Sequence, residues 1–302
     1  MAKQFYSNGK LLLTAEYAIL DGAEGLAVPT KFGQNLKIEE GTSGTLHWIS
    51  KDEQGQNWFE GNYHLNTFSE ITSSDRDVSK NLIDIFLRTK ELNPNFLKNS
   101  TGKKVTTELS FPRKWGLGTS STLVNNIAQW AEVNPFELLQ KTFGGSGYDI
   151  ACAQHNGPIL FHLKKERPYV RKIEFKPSFA RSLFFVYLNQ KQNSRAAIAH
   201  YQNLGLDKEK LISKLNGLTL QILNCDDLSD FELLLSQHEQ VLSNVLQTPP
   251  VKERLFPDYP GAIKSLGAWG GDFVLATGNE NTPGFFRKKG YSTVIPYMDM
   301  VL

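Results

Sequence analysis

Apolar and polar positions along this chain repeat with two different periods, and the changes of period mark its elements. Val105, Thr107, Leu109 and Phe111 alternate with Thr106, Glu108 and Ser110, the two-residue repeat of a half-buried strand, which Pro112 closes. Leu26-Ala27-Val28 and Asn35 to Ile38 also read as strand, after the Asp21-Gly22 turn signal. Residues 41–70 are polar with interleaved Gly and aromatics and predict hairpins. From Asp77 to Leu92 the repeat becomes helical, with Val78, Leu82, Ile85, Phe86 and Leu92 on one face. A second helix carries Leu123, Val124, Ile127, Ala128, Trp130 and Ala131. A third has Asn134 as N-cap, Pro135 at N1 and Glu137 at N3, and Gly144-Gly145 ends it. A strand near Pro158–Leu163 follows. Beyond it the pattern predicts a strand over Leu183–Leu188 and helices near 194–203, 208–224 and 229–247. A glycine-rich stretch then turns into a strand by Thr277, and Tyr291–Ile295 is a last strand.

This order lacks a clean βαβ repeat, so the expected class is α+β rather than a doubly wound sheet. At ~150 residues per domain, 302 residues suggest two domains. Pro177-Ser178 marks a boundary near 175–182, which divides the chain into 1–180 and 181–302. A composition of 40% hydrophobic and 21% charged residues excludes disorder and a disulfide scaffold. Thirty-three basic against thirty-one acidic side chains give +2, too balanced for a nucleic-acid coat or a polybasic membrane surface. Cys152 and Cys225 form no CxxC pair, so a zinc or redox motif has no support. With no signal-peptide pattern at Met1–Phe5 and no apolar run near the ~18 residues of a membrane span, a soluble, cytoplasmic protein is expected.

Four glycine-centred segments are the candidates for chemistry. The first is Gly116-Leu117-Gly118-Thr119-Ser120-Ser121, placed between a strand and a helix. Two glycines let backbone approach a ligand, and the free N–H groups and dipole of a helix start attract phosphate. A plain glycine turn with a hydroxyl cap accounts for the same spacing. Walker A is excluded because Leu97 stands where its first Gly belongs. The dinucleotide fingerprint is excluded because Ser121 occupies its last Gly position. The others are Gly145-Ser146-Gly147-Tyr148-Asp149, Gly267 to Asp272, and Ser7-Asn8-Gly9-Lys10 with Glu16 beyond. Each alone is explained by turn chemistry; their order along one chain is not.

Together these segments resemble the GHMP small-molecule kinases, the superfamily of galacto-, homoserine, mevalonate and phosphomevalonate kinases. Gly9 to Leu20 is similar to the first motif, Lys114 to Ser121 to the phosphate-binding loop, and Gly267 to Ala276 to the C-terminal glycine motif. The resemblance implies a two-domain α+β fold, with an N-terminal part like the second domain of ribosomal protein S5 and a ferredoxin-like C-terminal part. It implies ATP-dependent, magnesium-dependent phosphorylation of a small acidic alcohol or its monophosphate in isoprenoid precursor synthesis. Trp115, the string from Gly145 to Ala151 and Asp272 favour phosphomevalonate kinases. Asn189 to Ala196 resembles a substrate segment of mevalonate kinases.

By the same resemblance, residues 116–121, with Gly270 and Gly271, hold the ATP phosphates, and Ser120 places its hydroxyl on Mg2+. Asp149 orients the acceptor, Lys10 neutralises charge, and Lys191, Ser194 and Arg195 grip an acidic substrate. Glu137 sits near a family magnesium ligand, although a capping box with Asn134 accounts for it equally. The implied partners are ATP and a small molecule, with no nucleic acid and no membrane, in a monomer or homodimer. Ser7-Asn8 replaces the family's usual Ala-Pro, and Trp269 replaces a glycine. A kinase of another hydroxyl compound such as a sugar, and a degenerate ligand-binding protein of the same fold, are the alternatives.

Overall fold

In the computed structural model the chain starts with β1 (Lys3–Leu12), a 3-10 turn at Ala18–Asp21 and the long strand β2 (Gly25–Glu40). The expected hairpins are β3 (Thr45–Lys51), β4 (Asn57–His64) and β5 (Glu70–Ser73). Then come α1 (Arg76–Leu92), β6 (Lys103–Leu109), α2 (Thr119–Ala131), α3 (Pro135–Thr142) and α4 (Tyr148–Gln154). The order continues with β7 (Ile159–Lys164), β8 (Arg167–Lys172), β9 (Leu183–Tyr187), α5 (Ser194–Gln202), α6 (Lys208–Leu223) and α7 (Leu228–Leu246). It closes with α8 (Val251–Leu255), β10 (Ile263–Ser265), β11 (Phe273–Thr277), α9 (Thr282–Lys288), β12 (Val294–Pro296) and α10 (Tyr297–Met300). The structure describes residues 2–190, 194–205, 207–267, 269 and 271–302, without the side chains of 194–197.

Two compact units form. The first comprises Met1–Gly9, Phe32–Arg113 and Leu117–Gln154; the second comprises Lys10–Lys31, Lys114–Gly116 and His155–Leu302. They interleave because β1 and β2 each contribute residues to both, and the boundary expected near 175–182 lies inside the second unit.

In the first unit the strand order is β5-β4-β3-β6-β2. β3 runs parallel to β6, with Trp48 opposite Val105, and antiparallel to β4. Residues 34–40 of β2 pair antiparallel with β6. On β6, Val105, Thr107 and Leu109 are buried, as the alternation predicts. Helices α1, α2 and α3 pack on one another and share this core. Phe86 of α1 stacks on Phe68 at 5.0 Å and meets Trp48 edge-on at 5.6 Å. Rings of this size contribute on the order of 2–3 kcal/mol each by burial. Asp75 caps α1 by accepting from the Asp77 and Val78 amides.

In the second unit, residues 25–27 of β2 pair with β7, and β7 pairs with β8, both antiparallel. A separate antiparallel sheet has the order β10-β11-β9-β12. Every residue of β9 and β11 is buried, so these strands read as continuous apolar runs rather than alternations. Leu211, Leu215 and Leu218 of α6 share a core with Val241, Leu242 and Leu246 of α7. Among the described residues no helix is long and apolar enough to cross a membrane.

Candidate functional site

Within the second unit, three segments far apart in sequence converge. Lys10, near the end of β1 rather than at a strand start, donates from Nζ to the Gly116 carbonyl at 2.9 Å. Gly116 has φ of 69°, and a Cβ there would collide with the Asp272 carboxylate. Glycine is therefore required twice over, by backbone conformation and by close approach. Asp272 is fixed by its amide, which donates to the Gln190 carbonyl at 2.7 Å, and by its carbonyl, which accepts from the Leu188 amide at 2.8 Å. Residues 114–116 are clamped as well. The Tyr187 hydroxyl donates to the Lys114 carbonyl at 3.0 Å, and the Trp115 ring lies edge-on to Phe273 at 5.5 Å.

Within the first unit, Gly118 begins α2 at φ 95°, a left-handed conformation that glycine adopts without strain. Leu117 is buried and offers a ligand only its backbone. In the first turn of α2, Ser121 Oγ donates back to the Gly118 carbonyl at 2.9 Å, while Ser120 is exposed. The leading amides of such a turn lack helical partners and favour an anion. Asp149 lies in the first turn of α4, where a glycine-rich turn was expected. Its carboxylate accepts from the Ile150 amide at 3.0 Å. Asn134 caps α3 as predicted, accepting from the Phe136 and Glu137 amides, and Glu137 is exposed in the same turn.

The start of α2 has the chemistry a nucleotide triphosphate needs: left-handed Gly118, the free amides of the first turn and the exposed Ser120 hydroxyl are all anion donors. Among the described residues no three His, Cys, Asp or Glu side chains are grouped to hold a metal. Magnesium that travels on phosphates needs only one or two protein ligands, and the exposed Ser120 hydroxyl in the first turn of α2 has the donor chemistry for that mode.

One further feature of the second unit escaped sequence reading. Glu16, Lys264, His238 and Glu239 form a buried charged cluster, each at most 2% exposed. Lys264 Nζ donates to Glu16 at 2.5 Å and to the Ser265 carbonyl at 2.9 Å, and lies 3.6 Å from Glu239. Ser265 Oγ donates to Glu239 at 3.0 Å. His238 Nε2 accepts from the Ala15 amide at 2.9 Å, so the neutral imidazole carries its proton on Nδ1. Burial dominates the titration of all three acid–base partners of the lysine. It raises Glu16, raises Glu239 to about 7 and holds His238 well below its ordinary value. The cluster pins the turn that follows β1, where Ala15 and Tyr17 both have positive φ, to β10, just before the last glycine segment.

In that segment Trp269 keeps the left-handed backbone of a glycine, at φ 45°. Its indole is buried against the α6–α7 core with Ala15 and Tyr17. Gly271 lies in a bend ahead of β11. Gly270 and Lys191, and the side chains of Ser194 and Arg195, fall outside the described residues.

No protein-family model matches the sequence, and no curated protein matches it. Solved structures do match over nearly the whole chain. Methanococcus jannaschii mevalonate kinase superposes with a TM-score of 0.70 at 16% identity, covering 96% of this chain and 94% of that one. Streptococcus pneumoniae phosphomevalonate kinase in complex with phosphomevalonate and AMPPNP gives 0.69 at 15% identity, covering 95% of each. Lactococcus lactis galactokinase complexed with galactose gives 0.65 at 12% identity, covering 95% and 88%. The expected α+β class is therefore borne out, and the chain has the fold shared by these GHMP kinases.

Proposed function

We propose that the chain is an ATP- and magnesium-dependent kinase of a small acidic alcohol or its monophosphate, with mevalonate or phosphomevalonate as the acceptor. The observation that carries this reading is the Lys10 ammonium on the Gly116 carbonyl, with the Asp272 carboxylate packed against the same glycine. A plain glycine turn has no use for a lysine and an aspartate recruited from opposite ends of the sequence. In the reaction, the acceptor oxygen forms a bond to the γ-phosphorus and the bond to the ADP oxygen breaks. With an alcohol as acceptor the hydroxyl proton is lost toward Asp149 or water; with a monophosphate the attacking oxygen is already ionised and no proton has to leave. Such transfers have loose transition states, so catalysis is mostly positioning and charge stabilisation.

The amides of residues 118–121 hold the phosphates, and Lys10 offsets the charge that builds on the transferred group. Asp149 orients the acceptor hydroxyl or phosphate. Bound on the phosphates, with Ser120 and Glu137 as its candidate protein ligands, Mg2+ supplies further neutralisation of that charge. Support for the substrate class comes from the mevalonate and phosphomevalonate kinases of the same fold. The galactokinase of this fold keeps a sugar as the alternative acceptor. Burial of the Trp269 indole counts against a degenerate binding protein, because the bulky side chain is turned into the core.

Phosphoryl transfer from MgATP to mevalonate, phosphomevalonate, homoserine and galactose tests the reading. Turnover of one of the first two is expected, with Lys10→Met and Asp149→Asn each reducing it on the order of 10²-fold or more. ATP binding without transfer to any acceptor would overturn it.

A further inference from the structure

Helix α2 carries two consecutive asparagines in its interior, Asn125 and Asn126, both fully buried. Asparagine is a poor helix former, and a buried amide needs partners for its donors and acceptor. Here the partners form one directional chain. Gln154, the last residue of α4, donates from Nε2 to Asn125 Oδ1 at 3.0 Å, and Asn125 Nδ2 donates to Ser7 Oγ at 2.8 Å. Ser7 Oγ donates in turn to Asn126 Oδ1 at 2.7 Å, and Asn126 Nδ2 donates to the Gln34 carbonyl at 2.9 Å. The Gln34 side chain accepts from Thr122 Oγ1 at 2.8 Å, and Thr122 Oγ1 also reaches the Gly118 carbonyl that opens α2 at 3.0 Å. All of these residues belong to the first unit.

The chain of bonds thus runs from the end of α4 to the start of α2, and Ser7 on β1 is the hydroxyl that turns it. Ser7 stands where the resembled family usually carries alanine. An alanine here would leave Asn125 Nδ2 and Asn126 Oδ1 buried and unpartnered at once. Apolar side chains can slide past one another by a rotamer, whereas this set of donors and acceptors closes in one register only.

We propose that Ser7 is a positioning residue: through Asn125, Asn126 and Gln154 it sets the height of α4, and so of Asp149, against the glycine-led first turn of α2. The proposal rests on the kinase reading for the roles of those two turns. Gln154 is five residues from Asp149 on the same helix, roughly 7.5 Å along its axis. A displacement of that helix therefore reaches Asp149 undiminished. Ser7 itself touches no reacting group.

The test compares Ser7→Ala, Ser7→Thr and Gln154→Ala with the unmodified chain. Steady-state kinetics and amide hydrogen exchange over residues 148–154 are followed below the melting temperature of each variant. Ser7→Ala is expected to lower kcat about 10- to 100-fold, the effect of misplacing a reacting group by about 1 Å. KM for ATP should stay within about twofold, since ground-state binding is not what is lost. Exchange should accelerate in residues 148–154 and stay unchanged in α6 and α7. Ser7→Thr, which keeps the hydroxyl, should restore most of kcat. Gln154→Ala, at an exposed position that folding tolerates, should show the same pattern in weaker form and decides the matter where Ser7→Ala does not fold. A variant that loses melting temperature only, with kcat and local exchange unchanged, would overturn the proposal. Absence of turnover in the unmodified chain would instead remove the kinase reading, and the exchange data would still decide whether Ser7 holds α4.

Discussion

Replacing Glu239 by glutamine should stabilise this protein at pH 8 and do much less at pH 5. Two carboxylates, Glu16 and Glu239, share one ammonium, Lys264, in a site closed to water. With both ionised the site is one negative charge in excess, and a low-dielectric interior penalises that charge heavily. Burial therefore lifts Glu239 from 4.5 to about 7, against the opposing pull of Lys264 and with the help of Glu16. A raised carboxyl means that the folded chain holds a proton which the unfolded chain releases. Its contribution is fully present below about pH 4.5 and is lost as pH rises to about 7. The whole span is worth about 3 kcal/mol. Glutamine can still accept from Ser265 and has no charge to lose. Glu239→Gln should then gain about 2–3 kcal/mol more at pH 8 than at pH 5, measured by chemical denaturation at both values. His238 works in the opposite sense: held neutral by burial and by Lys264, it destabilises the fold as pH falls through 6.5. It does so in both proteins and cancels from the comparison. Equal changes at the two pH values would refute the reasoning, because they would mean that Glu239 keeps one protonation state in the fold across that range.

Two other substitutions probe local structure. Trp269→Ala should cost about 3–5 kcal/mol by emptying its place in the α6–α7 core. Trp269→Gly should be no less stable than the alanine variant, against the usual order, because the left-handed backbone at φ 45° favours glycine by about 1 kcal/mol; thermal melts of the pair would show it. Asn134→Ala should lose about 1 kcal/mol by uncapping α3, and hydrogen exchange should rise first at the Phe136 and Glu137 amides.

What could be read from the sequence and what could not divide along a physical line. Helices α1, α3, α6 and α7 announce themselves because a surface helix repeats its apolar side chains every three to four residues, and because Asn134-Pro135 is a cap by chemistry alone. The alternation on β6 is legible for the same reason. The three-residue strands β10 and β12 and the short helices α8, α9 and α10 are too brief to show a period. The exposed hairpin strand β8 buries nothing that could make one. Helix α4 was masked by its entry, since Gly145-Ser146-Gly147 reads as a turn and only seven helical residues follow.

At the site, glycine was the informative residue, because close approach and positive φ leave it few substitutes, as at Gly116 and Gly118. Polar residues that work by pairing over distance are silent. Glu16 and Lys264 are 248 positions apart, and Ser7 and Asn126 are 119 apart. Neither member of either pair carries a local pattern that names the other. The Asn125-Asn126 pair is silent in the same way: at ~100° per residue both fall on the face of α2 turned away from Val124, Ile127, Ala128 and Ala131, where the repeat predicts solvent. Only the fold, which sets that face against Ser7 and Gln34 of the two long strands, shows that the amides are buried and must find partners.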